Sequence, residues 1–135
     1  MLAVQVAQQL KEAGLGWRPA AGDRFVIPDR DLDEEVFVLS HMTIEVYSLP
    51  EGRVIGFNGT TEWALDDVGI EEAIWLPRED QLRDLLGGTF RALRRVDGGF
   101  AVEIGLLGAD RTFVAAGAEE AYGAALLQLM AAAQE

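Results

Sequence analysis

The sequence predicts an α+β fold: largely antiparallel sheet with an N-terminal helix, a central Pro-initiated helix, a three-stranded meander and a C-terminal helix. Three stretches predict it. Trp75 to Gly88 reads as a short helix with both ends marked. Pro77 suits the first helical position, because its φ is already helical and its missing N–H would find no partner there. Glu79 and Asp80 place negative charge near the positive end of the helix dipole. Leu82, Leu85 and Leu86 follow at the spacing of one buried stripe, and Gly87-Gly88 supplies a left-handed stop. Asp97-Gly98-Gly99, set between two strand-like runs, is a hairpin signal. Ala118 to Ala133 closes the chain as a helix whose stripe is Tyr122, Leu126, Leu129 and Met130.

In order from the N-terminus, Leu2 to Ala13 is amphipathic, with Leu2, Val6, Leu10 and Ala13 on one side. Gly14 is placed as its C′ residue, and Leu15 as the apolar contact that accompanies such a stop. Trp17-Arg18-Pro19 opens a loop, Gly22-Asp23 turns the chain, and Arg24 to Ile27 forms a strand that Pro28 ends by removing a donor. After the acidic loop Asp29 to Glu35, Val36 to Leu39 is apolar on both faces, as in a central strand. Thr43 to Ser48 and Arg53 to Phe57 form an antiparallel pair around Leu49-Pro50-Glu51-Gly52. Thr60 to Leu65 suits a helical turn, Glu62 to Glu72 an acidic loop, and Ala73-Ile74-Trp75 a short strand. Beyond the central helix, Phe90 to Val96 and the alternating Phe100, Val102, Ile104, Leu106 flank the hairpin. A turn at Gly108-Ala109-Asp110 leads into Arg111 to Ala115.

With 135 residues, half of them hydrophobic, one domain spanning residues 1–135 is expected. The longest apolar run, Ala124 to Ala133, is too short to cross a bilayer, and no basic leader opens the chain, so a soluble cytoplasmic protein is expected. The absence of cysteine excludes disulfides and thiolate chemistry. A net charge of −12 disfavours nucleic acid and anionic membrane as partners. Arg91, Arg94 and Arg95 are the local exception, and neutralising neighbouring carboxylates is the favoured role for them.

Few residue patterns point to chemistry. Asp29, Asp31 and Asp33 imitate the start of a calcium loop, but the sixth position is Glu34 rather than glycine and the twelfth is Ser40 rather than glutamate. His41 is the only histidine, so a two-histidine metal set is impossible, and neighbouring Ser40 would point to the opposite face of a strand. Lys11 is the only lysine and follows no glycine loop. No metal site, cofactor or catalytic residue is therefore assigned. The best enzymatic lead is Glu62, Asp66, Asp67, Glu71 and Glu72 beside Trp63 and Trp75. There an apolar wall would raise one carboxyl's pKa toward neutrality. Against it stands a charged loop beside tryptophans that fill the core.

Residues 56–65, Gly-Phe-Asn-Gly-Thr-Thr-Glu-Trp-Ala-Leu, and 75–82, Trp-Leu-Pro-Arg-Glu-Asp-Gln-Leu, resemble a family of small uncharacterised bacterial proteins, some labelled "pilus assembly protein". The resemblance covers most of the chain and implies no activity, cofactor or catalytic residue. The label belongs with pilus-localising ATPases, whose P-loop this chain lacks. A second likeness, to small phage-type proteins, rests on Ala13-Gly14 ending one helix before a Pro-initiated Leu-rich helix and a terminal hairpin and helix; it implies fold alone. The expected function is a non-catalytic protein-binding or regulatory domain, with a small enzyme or small-molecule-binding protein at Trp63/Trp75 as the alternative. Its expected partner is a basic protein surface. Asp31, Asp33 and Glu34 on one acidic segment, and Asp66, Asp67 and Glu71 on the other, are the candidate contacts.

Overall fold

Backbone hydrogen bonds gather the strands into three antiparallel sheets of three among the described residues, which are 1–28, 36–39, 45–49, 52–56 and 67–133 of a computed structural model. In chain order the elements are α1 (Val4–Glu12), β1 (Arg24–Val26), β2 (Phe37–Val38), β3 (Glu45–Leu49), β4 (Gly52–Gly56), β5 (Asp67–Gly69), a 3-10 turn (Ile70–Glu72), β6 (Ile74–Leu76), α2 (Glu79–Leu86), a second 3-10 turn (Gly87–Thr89), β7 (Phe90–Val96), β8 (Gly99–Leu106), β9 (Ala109–Ala115) and α3 (Ala118–Ala133). The fold is α+β. Its contacts divide the chain into two compact units, residues 1–15 with 77–135, and residues 16–76. No described helix is long and apolar enough to cross a membrane.

The first unit is the meander β7-β8-β9 with three helices. Val96 pairs with Gly99, which narrows the predicted Asp97-Gly98-Gly99 turn to the two residues Asp97-Gly98 and puts Gly99 in β8. The second turn differs from expectation. Leu106 pairs with Ala109, so the turn is Leu107-Gly108, and Ala109-Asp110 already belong to β9. Both turn residues have positive φ, 53° and 80°, as a type I′ connection requires. Leucine is ill-suited to that region, and Leu107 is also 85% exposed.

α1 ends as predicted. The N–H of Leu15 donates to the Leu10 carbonyl at 3.0 Å and that of Gly14 to Lys11 at 3.0 Å, the two bonds of a Schellman stop, with Gly14 at φ 107°. Its buried residues are Ala7 and Leu10 with Leu2 just ahead of it, whereas Val6 and Ala13 are half-buried. α2 starts later than predicted. Pro77 lies one residue before the N-cap, Arg78, whose N–H donates to Gln81 Oε1 at 2.8 Å. This puts Pro77 at N′ and Leu82 at N4, both buried, which is the arrangement of a hydrophobic staple. Gly87 has positive φ (57°) but ψ of −135°, so it leaves the helix through a glycine-only region rather than the left-handed helical one.

α3 has the predicted bounds but buries a different set: Ala121, Tyr122, Gly123, Ala125 and Leu126, with Leu129 and Met130 half-buried. The reason is crowding. α1, α2, β8 and β9 all pack on α3. A Cβ added to Gly123 would lie 2.7 Å from Val6 Cγ1, so small residues are what lets α1 approach. Each large side chain fully buried in this unit, Leu10, Leu82, Ile104 and Tyr122 among them, contributes about 1.5–3 kcal/mol.

The second unit is built from shorter strands in the orders β2-β1-β6 and β3-β4-β5. Here the central strand is β1, not Val36 to Leu39. β2 is an edge of two residues, Val36 and Val38 are 38% and 62% exposed, and Leu39 alone turns fully inward. Leu49 pairs with Gly52, while Pro50 and Glu51 of the predicted Leu49-Pro50-Glu51-Gly52 turn lie outside the described residues. The acidic stretch 62–72 is not all loop either, because β5 pairs with β4 through Val54–Gly69, Ile55–Val68 and Gly56–Asp67. The expected helical turn Thr60 to Leu65 and the loop Asp29 to Glu35 lie outside the described residues.

Candidate functional site

The centre of residues 16–76 is aromatic. Trp17, Phe25, Ile27, Leu39 and Ala73 form a buried cluster, and Phe37 and Trp75 pack against it half-buried. The β1–β6 register sets Phe25 opposite Trp75, and the β1–β2 register sets it opposite Phe37. The Trp17 and Trp75 rings stack at 6.5 Å with an interplanar angle of 10°, and Trp17 lies tilted against Phe25 at 5.4 Å. Such pairs add roughly 0.5–1.5 kcal/mol beyond the area they bury.

One carboxylate belongs to this core. Asp23 is 2% exposed, and its Oδ2 accepts the Trp17 indole N–H at 2.9 Å and the Ala20 N–H at 3.0 Å. Its backbone completes the latch: the Asp23 N–H donates to Ala20 O, the Leu39 N–H donates to Asp23 O at 2.9 Å, and the Gly22 N–H donates to Leu39 O at 2.8 Å. Asp23 thus closes the 17–23 loop, orients an indole and ties the loop to the residue after β2. Sequence reasoning treats it only as a turn residue. The signal for more is a tryptophan six positions before it, a donor needing an acceptor once buried. Trp75 contrasts with Trp17, for its indole N–H is buried without a hydrogen-bond partner among the described residues.

Of the predicted contacts, Trp75, Glu71 and the backbone of Asp67 are described; Asp31, Asp33, Glu34, Trp63 and Asp66 lie outside the described residues. Asp67 begins β5, Glu71 lies exposed on the 3-10 turn that follows, and Trp75 sits in the middle of β6. Glu72 is exposed as well. Both described carboxylates therefore keep solvent contact. No group of three or more potential metal ligands occurs among the described residues.

The pKa of Asp80 is lowered from its ordinary value. The hydrogen bond from Arg78, 3.1 Å from Nε to Oδ1, holds that exposed carboxyl below its usual 3.8, helped by the charge of Arg78 and the backbone N–H groups of Asp80 and Gln81. It braces the start of α2.

No protein-family model, curated protein or solved structure matches the chain. The centre of this unit, among the described residues, is an aromatic core with one buried carboxylate, Asp23.

Proposed function

We propose that the chain is a non-catalytic protein-binding or regulatory domain, acting inside the cell, whose acidic segments meet a basic protein surface. One observation carries the choice over catalysis. Trp75 stacks on Trp17 and packs half-buried against the aromatic cluster, with Phe25 opposite it in the register, so its ring serves the core of this unit. The acidic composition supports the charge of the partner: residues 29–35 hold five carboxylates against one arginine, and residues 62–72 hold five against none. The likeness to the pilus-labelled bacterial family belongs to this proposal and adds no activity to it. The test is capture of the partner followed by association kinetics across a salt series. Replacing Asp31, Asp33 and Glu34, or Asp66, Asp67 and Glu71, with the corresponding amides should slow association and flatten its salt dependence. Unchanged kinetics for both sets would reduce these segments to solubilising surface.

A second reading, a small-molecule site at Trp63/Trp75, takes its support from the unpartnered Trp75 N–H, a donor that a ligand's acceptor would satisfy. It predicts that Trp75→Phe abolishes a ligand-induced change in indole emission. A screen of metabolite acids and amides that finds no such change would end it.

A further inference from the structure

The outer edge of β7 stands out in this acidic chain. It is seven residues long and lies at one margin of the β7-β8-β9 sheet, and β8 is its one extensive neighbour among the described elements. Arg91, Arg94, Arg95 and Val96 on it are exposed. A two-residue hairpin makes its closing pair, Val96–Gly99, a hydrogen-bonded one. By the alternation of the ladder, Ala92, Arg94 and Val96 turn their backbone groups to β8, and Leu93 and Arg95 turn theirs outward. Among the described residues this leaves an outward row of donors and acceptors framed by guanidinium groups.

The arginines are not all used up within the fold. Arg94 Nη1 lies 3.0 Å from Glu103 Oε2 on the face away from Val102 and Ile104. Arg91 folds across Gly105 and donates to the Gly88 carbonyl at 2.9 Å. Arg95 makes no ion pair among the described residues. Neutralisation of neighbouring carboxylates, the role expected of this triplet, accounts for Arg94 alone.

We propose that this edge takes an extended acidic segment of a partner protein as a fourth strand. Addition to a free edge draws affinity from main-chain bonds and specificity from alternating side chains. Neighbouring positions on a strand face opposite ways, so a segment with two successive carboxylates meets Arg94 on one face and Arg95 on the other. A second copy of this chain is a poor occupant through the same edge. Pairing β7 with β7 would set Arg94 against Arg94, Arg95 against Arg95, or Arg91 beside Arg95, and like charges directly opposite are destabilising. This strand is distinct in sequence from the acidic segments and opposite to them in charge, so either reading can fail without the other.

The test uses the full chain and a fluorescent, end-blocked Thr-Val-Glu-Glu-Val-Thr peptide, with a Gln-Gln peptide for comparison. Saturable binding is expected, tighter at low salt, and at least about fivefold weaker for the Gln-Gln peptide. Arg95→Gln should weaken binding by a similar factor. Arg95→Pro, which also removes an outward N–H and sits where an edge strand tolerates proline, should abolish it. Thr112→Pro on β9, the opposite edge, should leave it unchanged. Retained amide protection in β8 certifies the fold of Arg95→Pro. If that variant does not fold, the Arg95→Gln and Gln-Gln measurements decide alone. No saturation by about 1 mM peptide, or equal affinity for both peptides, would overturn the proposal and leave the arginines as a guard against edge pairing.

Discussion

The two units of this chain solve the same problem with different materials. Residues 1–15 with 77–135 rely on strands of seven, eight and seven residues, on helices ended by local capping rules, and on backbones brought close by glycine. Residues 16–76 have strands of two to five residues and rely on an aromatic cluster tied together by a buried carboxylate. Charge separates them further. The first unit carries ten carboxylates against seven bases, the second thirteen against four. Self-repulsion therefore falls more heavily on the unit with the shorter strands, which makes a few well-placed polar bonds more consequential there. The difference teaches where each is vulnerable: one to added volume, the other to a lost donor.

The largest effect should come from added volume. A Cβ at Gly99 would run into the Ala115 carbonyl oxygen and come within 2.9 Å of its carbon, and neither is the end of a flexible side chain. Gly99→Ala should cost about 3 kcal/mol, read by equilibrium denaturation, with amide exchange rising first along β8 and β9. Next comes the contrast between the two indoles. Trp17→Phe removes the indole N–H that donates to Asp23 and should cost about 1–3 kcal/mol, whereas Trp75→Phe removes an N–H without a hydrogen-bond partner among the described residues and should cost less than about 1 kcal/mol. Equal costs for the two would break the claim that the latch, rather than aromatic area, secures this unit.

A gain is expected where the first unit is strained. Leu107→Asn places at φ 53° a residue that tolerates it and removes an exposed apolar side chain, so the melting temperature should rise, by about 0.5–1 kcal/mol of stability. The smallest effect concerns pH. Because the folded pKa of Asp80 is depressed, the pair with Arg78 contributes fully above the ordinary value of 3.8 and is lost as pH falls through the lower folded value. Carboxyl titration by NMR should place the Asp80 midpoint below 3.8, and Arg78→Gln should move it upward.

The sequence was most legible where structure depends on near neighbours. The Gly14-Leu15 stop, the Asp97-Gly98 turn and the bounds of α3 all follow from residues within about one helical or hairpin turn of each other. It was least legible where a third element decides. Val36 to Leu39 has the composition of a central strand, but among the described residues its strand pairs with β1 alone, and β1, flanked by β2 and β6, takes the central place. Leu129 and Met130 obey the helical period but lie past the part of α3 that is most deeply buried. Leu107 gave no turn signal, since leucine disfavours the conformation it holds. At the candidate site, Trp75 was legible as a core or groove residue, while the role of Asp23 was not. Its bonds to Trp17 and Ala20 exist only once the loop has closed against Leu39.

The stacked indoles also give the chain a pair of separate optical reporters. All three tryptophans, Trp17, Trp63 and Trp75, fall within residues 16–76, and the three α-helices of the described residues fall within residues 1–15 and 77–135. Indole emission during a melt therefore follows one unit, and helical circular dichroism follows the other. Coincidence of the two curves marks a single cooperative transition; a gap between them measures how far the stabilities of the two units differ, without a label, a cut or a substitution.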